Sequence, residues 1–96
     1  MSIEVSLKKQ NTIGVKKEVS MTEVNEMFQR LSNQFSIDVM ELAKKVATKK
    51  ADGFSLNKNS PYIHLYIGNG SENVSVEVMT LENETKIKVP KSFFLD

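Results

Sequence analysis

The sequence predicts an α+β fold. One long amphipathic helix, straight or kinked, is laid on an antiparallel sheet of three to five strands, in the order β(β)-α-β-β-β. Two changes of pattern carry this expectation. Between Ser20 and Lys50 apolar residues recur every three or four positions, the period of a helix with one buried face. After Pro61 they alternate strictly, the period of half-buried strands. A third observation bounds the size of the core. The chain has 96 residues and no cysteine, so residues 1–96 fit a single domain held by packing, without disulfides.

Ile3, Val5 and Leu7 alternate with Glu4, Ser6 and Lys8, which reads as a strand. Lys9-Gln10-Asn11-Thr12 is turn-prone. Ile13 and Val15 resume the alternation around Gly14, a residue that often marks a bulge. Ser20-Met21-Thr22-Glu23 matches a capping box, in which the serine hydroxyl and the glutamate satisfy each other's backbone amides; Val19 stands ready as its staple. Val24, Phe28, Leu31, Phe35, Val39, Leu42 and Val46 then keep one phase, with Ala43 beside them. That continuity favours one helix over two, although Ser32-Asn33-Gln34 is weakly helical and a second start is available at Ser36 with Asp38 in its first turn. Lys44, Lys45, Lys49 and Lys50 suit the negative end of the helix dipole, and Gly53 offers a stop.

Residues 51–60 read as a connector, with Phe54 and Leu56 folding back on the core. Ile63, Leu65 and Ile67 then point one way and Tyr62, His64 and Tyr66 the other. Gly68-Asn69-Gly70-Ser71 signals a turn. Val74, Val76 and Val78 extend the apolar face, and Ile87 and Val89 complete it, with Lys86 and Lys88 outside. Pro90 ends the last strand, and Phe93-Phe94-Leu95 either tucks its rings against the sheet or serves as a docking tail.

Length sets a physical problem for a single helix. Residues 21–49 would run about 44 Å at 1.5 Å per residue, against about 24 Å for a seven-residue strand. The excess stripe needs either a bend or cover from another chain. On that ground a homodimer or a protein partner is expected.

Composition narrows the chemistry. Net charge is +1, too little for bulk attraction to nucleic acid. No thiolate chemistry is available, no cofactor motif is present, and no run of about 18 apolar residues suggests a membrane span. Met1–Val5 has no basic segment followed by an apolar one, so a cytoplasmic location is expected. His64 is the only histidine and has no partner at a recognisable catalytic spacing. Gly68-Asn69-Gly70 precedes a strand and lacks the lysine of a phosphate loop. No enzyme activity, metal, cofactor or small-molecule substrate is expected.

Surfaces remain. The leading expectation is a small non-enzymatic accessory or inhibitory protein that occludes another protein. Its contacts are exposed stripe members Met27, Phe35 and Met40 and the row Tyr62, His64 and Tyr66, residue types that dominate binding energy in interfaces. The size, the cysteine-free composition and the helix-plus-meander layout are similar to those of small accessory proteins of phages and mobile elements. The alternative is single-stranded nucleic-acid binding. Bases would stack on the same tyrosines while Lys86 and Lys88 neutralise phosphates, with Lys44, Lys45, Lys49 and Lys50 forming a basic patch beside Lys16 and Lys17. Against it, Glu77 falls in the middle of that platform. Residues 39–45 resemble the start of a helix-turn-helix, but Ala51-Asp52-Gly53-Phe54 supplies no recognition helix. A structural homo-oligomer subunit is the third reading.

Overall fold

The computed structural model describes residues 3–9, 14–57 and 61–95. The elements are β1 (Ile3–Lys9), β2 (Val15–Val19), α1 (Met21–Phe35), α2 (Val39–Ala47), β3 (Gly53–Asn57), β4 (Tyr62–Ile67), β5 (Asn73–Met79) and β6 (Asn83–Pro90), followed by a 3-10 turn at Lys91–Phe93. All six strands join one antiparallel sheet in the order β2-β1-β6-β5-β4-β3. The α+β class stands. The strand number and the single helix expected from the sequence do not: the described residues form six strands and two α-helices.

The apolar side of the sheet faces the helices. Ile3, Val5, Ile63, Leu65, Val74, Val76, Val78, Ile87 and Val89 are buried together with Val24, Phe28, Phe35, Val39, Ala43 and Val46. Register explains this. Leu65 opposes Val76, Val76 opposes Ile87, and Ile87 opposes Val5, so one apolar row crosses four strands. Burial of the residues at helical spacing confirms the seam from Val24 to Val46.

The seam is bent at one point. α1 ends with Ser36 in the left-handed region, φ 55°, and the Ile37 N–H reaches back to the Ser32 carbonyl at 3.2 Å, the long bond of a Schellman turn. Asp38 then caps α2 by accepting from the Glu41 N–H at 3.0 Å. Ser32 ties the joint: its hydroxyl donates to the Phe28 carbonyl at 2.8 Å and accepts from the Val39 N–H at 3.0 Å. Phe35 and Val39 remain four residues apart across the break, so the apolar phase survives while the chain changes direction. α1 has 15 residues and α2 has nine, about 22 Å and 14 Å long, and neither exceeds the length of the seven-residue strands β1 and β5, about 24 Å. The overhanging stripe that called for a covering chain is therefore absent.

Other local expectations resolve in detail. The Ser20 hydroxyl accepts from the Glu23 N–H at 3.2 Å, but the Glu23 carboxylate lies 4.0 Å from Lys17 rather than closing a capping box. α2 stops before Gly53, at a second Schellman turn with Lys49 at φ 57° and the Lys50 N–H bonded to the Lys45 carbonyl at 2.9 Å. Residues 53–57 form a strand within the expected connector, and Phe54 and Leu56 pack against the core. Gly14 precedes β2; Ile13 and most of the first turn lie outside the described residues. The Ser71 N–H closes the β4–β5 turn on the Gly68 carbonyl at 2.9 Å, with Gly70 at φ 73°. Phe94 is buried and stacks on Phe28 at 6.2 Å, so the terminal rings belong partly to the core while Leu95 is exposed.

Candidate functional site

Both helices cover one face of the sheet, and the polar rows make up the other. β4 is the fifth strand of six, so its outward residues Tyr62, His64 and Tyr66 stand inside the sheet, flanked by β3 and β5. Alternation puts all three on the helix-free side because Ile63 and Leu65 are fully buried beneath them. The row is stacked along the strand: Tyr62 and His64 ring centres are 6.1 Å apart and nearly parallel, and His64 and Tyr66 are 4.8 Å apart and tilted.

Neighbouring strands fix the row. Ser55 of β3 opposes His64, and its hydroxyl hydrogen-bonds the His64 Nδ1. Glu77 of β5 opposes His64 from the other side, but its carboxylate is engaged elsewhere. The Tyr66 hydroxyl donates to Glu77 Oε1 at 2.6 Å, and Lys86 of β6 pairs with the same oxygen at 3.1 Å. The Lys86 ammonium also lies 5.7 Å from the Tyr66 ring centre. Partial burial pushes the Glu77 carboxyl up, and hydrogen bonds from Tyr66 and Lys86 outweigh it, so its pKa is lowered from the ordinary carboxylate value. Lys86 is raised above 10.5 by its contacts with Tyr66 and Glu77. Ser75, cross-strand from both Tyr66 and Lys88, is buried under its neighbours.

Ser55, His64 and Glu77 therefore lie in one row across three strands. Glu77 serves Tyr66 and Lys86 instead of orienting the imidazole, and the serine uses Nδ1. The arrangement fixes side chains; it does not build a nucleophile, a base and an orienting acid in sequence. Among the described residues no cluster of histidine and carboxylates has the geometry to hold a metal ion.

The remaining sequence candidates are scattered. Phe35, expected at the surface, is 9% exposed and belongs to the core; Met27 and Met40 are half-buried against it. These three do not join the tyrosine row, because the helices occupy the opposite face. Met27 does line a groove of about 300 Å³ beneath α1, with Leu31, Leu7, Val78 and Ile87. Lys44, Lys45, Lys49 and Lys50 are exposed at the end of α2, which packs over β3, β4 and β5. Lys16 and Lys17 lie on β2 at the far edge of the sheet, so the expected shared basic patch is not assembled. Lys88 opposes Glu4 and Ser75, and Lys86 is neutralised by Glu77.

One member of the site, Ser55, escaped sequence reasoning. Ser55 was hidden because its strand reads as a connector, although Phe54 and Leu56 two apart are the alternation that could have found it. Tyr66, Glu77 and Lys86 were legible as neighbours on one face, and only their convergence on one Glu77 carboxylate oxygen needed the side-chain geometry. No family model matches this chain, and neither a curated protein nor a solved structure matches it. No helix among the described residues is long and apolar enough to cross a membrane.

Proposed function

We propose that this chain is a non-enzymatic binding protein, an accessory or inhibitory factor that docks another protein on the helix-free face of its sheet around β4. One observation carries the reading: the exposed-side aromatic row Tyr62-His64-Tyr66 is held in place from both flanks, by Ser55 on one and by the Glu77–Lys86 pair on the other. Pre-ordered rings lose little entropy on binding and make strong anchors. Their surroundings favour a protein over a phosphate backbone. Glu77 cancels Lys86 at the centre of the platform, and Glu84, Glu4 and Glu18 interleave with Lys8, Lys88 and Lys16 on the same face.

The test is co-purification from the native host, followed by titration of the recovered protein against purified variants. Tyr62→Ala and Tyr66→Ala are each expected to weaken binding at least tenfold, as hot-spot truncations do. Unchanged affinity in both variants would remove the sheet face from the reading. A mixed-sequence oligonucleotide that binds at low salt and releases steeply as salt rises would replace the protein partner with a nucleic acid.

A further inference from the structure

The sheet has two edges, and they are finished differently. β2 carries Lys16, Lys17 and Glu18, and Lys17 sits on the helix-facing side, cross-strand from Val5. Edge charges, inward-placed ones above all, block the addition of another strand. β3 reads Gly53-Phe54-Ser55-Leu56-Asn57, with neither charge nor proline. Among the described residues, no strand pairs with its outer side. This unguarded edge lies next to the aromatic row.

We propose that a second copy of this chain adds to the β3 edge, antiparallel about a two-fold axis at Ser55, and that the two copies together complete the aromatic site. The inference rests on the reading of the β4 face as a docking surface and names what finishes it.

Self-complementarity argues for the second copy as occupant. Strand pairing must match faces, so a symmetric pair is centred on a residue that opposes itself. Centring on Ser55 overlaps the whole strand. Phe54 then opposes Leu56 of the second copy on the helix side, Gly53 opposes Asn57 on the other side, and no charge is involved. The half-buried Phe54 and Leu56 each gain an apolar cross-strand neighbour. The same operation on β2, centred on Lys17, pairs Lys16 with Glu18 on the outer face but sets the helix-side Lys17 against itself, an inward charge of the kind that bars strand addition.

Pairing at β3 changes the site. Three strand spacings separate β4 from β4 of the second copy, about 14 Å. The floor between them is Gly53, Ser55 and Asn57, contributed twice. Each wall is one copy's row of Tyr62, His64 and Tyr66. One copy alone has a single wall. The completed trough, small-floored and ring-walled, fits an extended and weakly charged peptide segment of the partner protein.

The experiment uses Ser55, which is exposed, and the absence of native cysteine. Sedimentation of the wild-type chain is expected to show a monomer–dimer equilibrium between low and high micromolar concentration. Ser55→Lys and Ser55→Glu are each expected to stay monomeric by setting like charges on the axis, and an equimolar mixture of the two to restore the dimer. Directly opposed antiparallel residues are about 4.5–5.5 Å apart, within disulfide reach. Ser55→Cys should therefore cross-link as a dimer under mild oxidation, while Lys17→Cys at the other edge should not. A wild-type chain monomeric throughout the range, or a Ser55→Lys variant that dimerises as well as wild type, overturns the proposal. Should the lysine variant fail to fold, the cysteine pair still decides it, since Ser55→Cys failing to cross-link more than Lys17→Cys has the same meaning. In each of these cases the Tyr62→Ala titration stands apart, so loss of the dimer and loss of the docking face are separable results.

Discussion

The Glu77 carboxylate accepts from Tyr66 and pairs with Lys86 on a sheet face that water still reaches. Its folded pKa lies below 4.5, so the folded state favours the ionised form. The sign follows: this group adds stability above its unfolded pKa, and the contribution is lost as pH falls through the lower folded value. Lys86 is raised, so its share is present below 10.5 and disappears as pH climbs through the folded value. Both shifts describe largely one contact and are not additive. Glu77→Gln is expected to lower stability by about 1 kcal/mol near neutrality, the scale of one hydrogen-bonded surface contact. Urea unfolding along a pH series should show the gap between wild type and variant closing below pH 4.5. A gap that persists in acid would assign the loss to amide packing and not to ionisation.

At the scale of elements, the joint between the helices concentrates on Ser32. Its hydroxyl holds the amide of Val39, a fully buried residue, and its carbonyl accepts from the amides of Ser36 and Ile37. Ser32→Ala leaves the Val39 N–H without its hydroxyl partner and is expected to cost about 1–3 kcal/mol in denaturant unfolding. Lys49, at φ 57°, sits where glycine is the least strained residue. Lys49→Gly is expected to raise the melting midpoint by relieving about 1 kcal/mol of left-handed strain; a lower midpoint would show that chain entropy in the unfolded state dominates. These two turns also explain what was legible in the sequence and what was not. The Val24–Val46 seam and the valine side of β5 could be read because burial imposes a period directly on side chains. The break at Ser36 could not be settled by period, because the turn and the new cap occupy one helical turn's worth of residues and leave Phe35 and Val39 in phase. The better signal was Asp38 three residues before Glu41, a cap that a continuous helix would not need. In the site, the tyrosine row and Glu77 at its centre followed from alternation, whereas Ser55 lay on a strand that reads as a connector and the meeting of Tyr66 and Lys86 on one Glu77 oxygen depended on side-chain geometry.

For the whole molecule, strand order decides where the backbone is safest. β1 enters between β2 and β6, so the first and last strands pair, with Val5 opposite Ile87. β5 and β6 are the two central strands and carry Val74, Val76, Ile87 and Val89, all fully buried; β2 and β3 are each flanked on one side only among the described residues. Amide hydrogen exchange should therefore be slowest in β5 and β6, approaching the rate of global unfolding, and fastest in the two edges. The edges separate when concentration is varied. β2 carries Lys17 on its helix-facing side, where a symmetric second copy would set like charges against each other, so its amides should exchange at one rate from low to high micromolar concentration. β3 is uncharged, and pairing with a second copy would place half of its amides in a ladder. Its exchange should slow as concentration rises, and Ser55→Lys should abolish that slowing while leaving β5 and β6 protected. Slowing in β2 rather than β3 would put the association at the charged edge, and the walls of the trough would then belong to separate, single-sided sites.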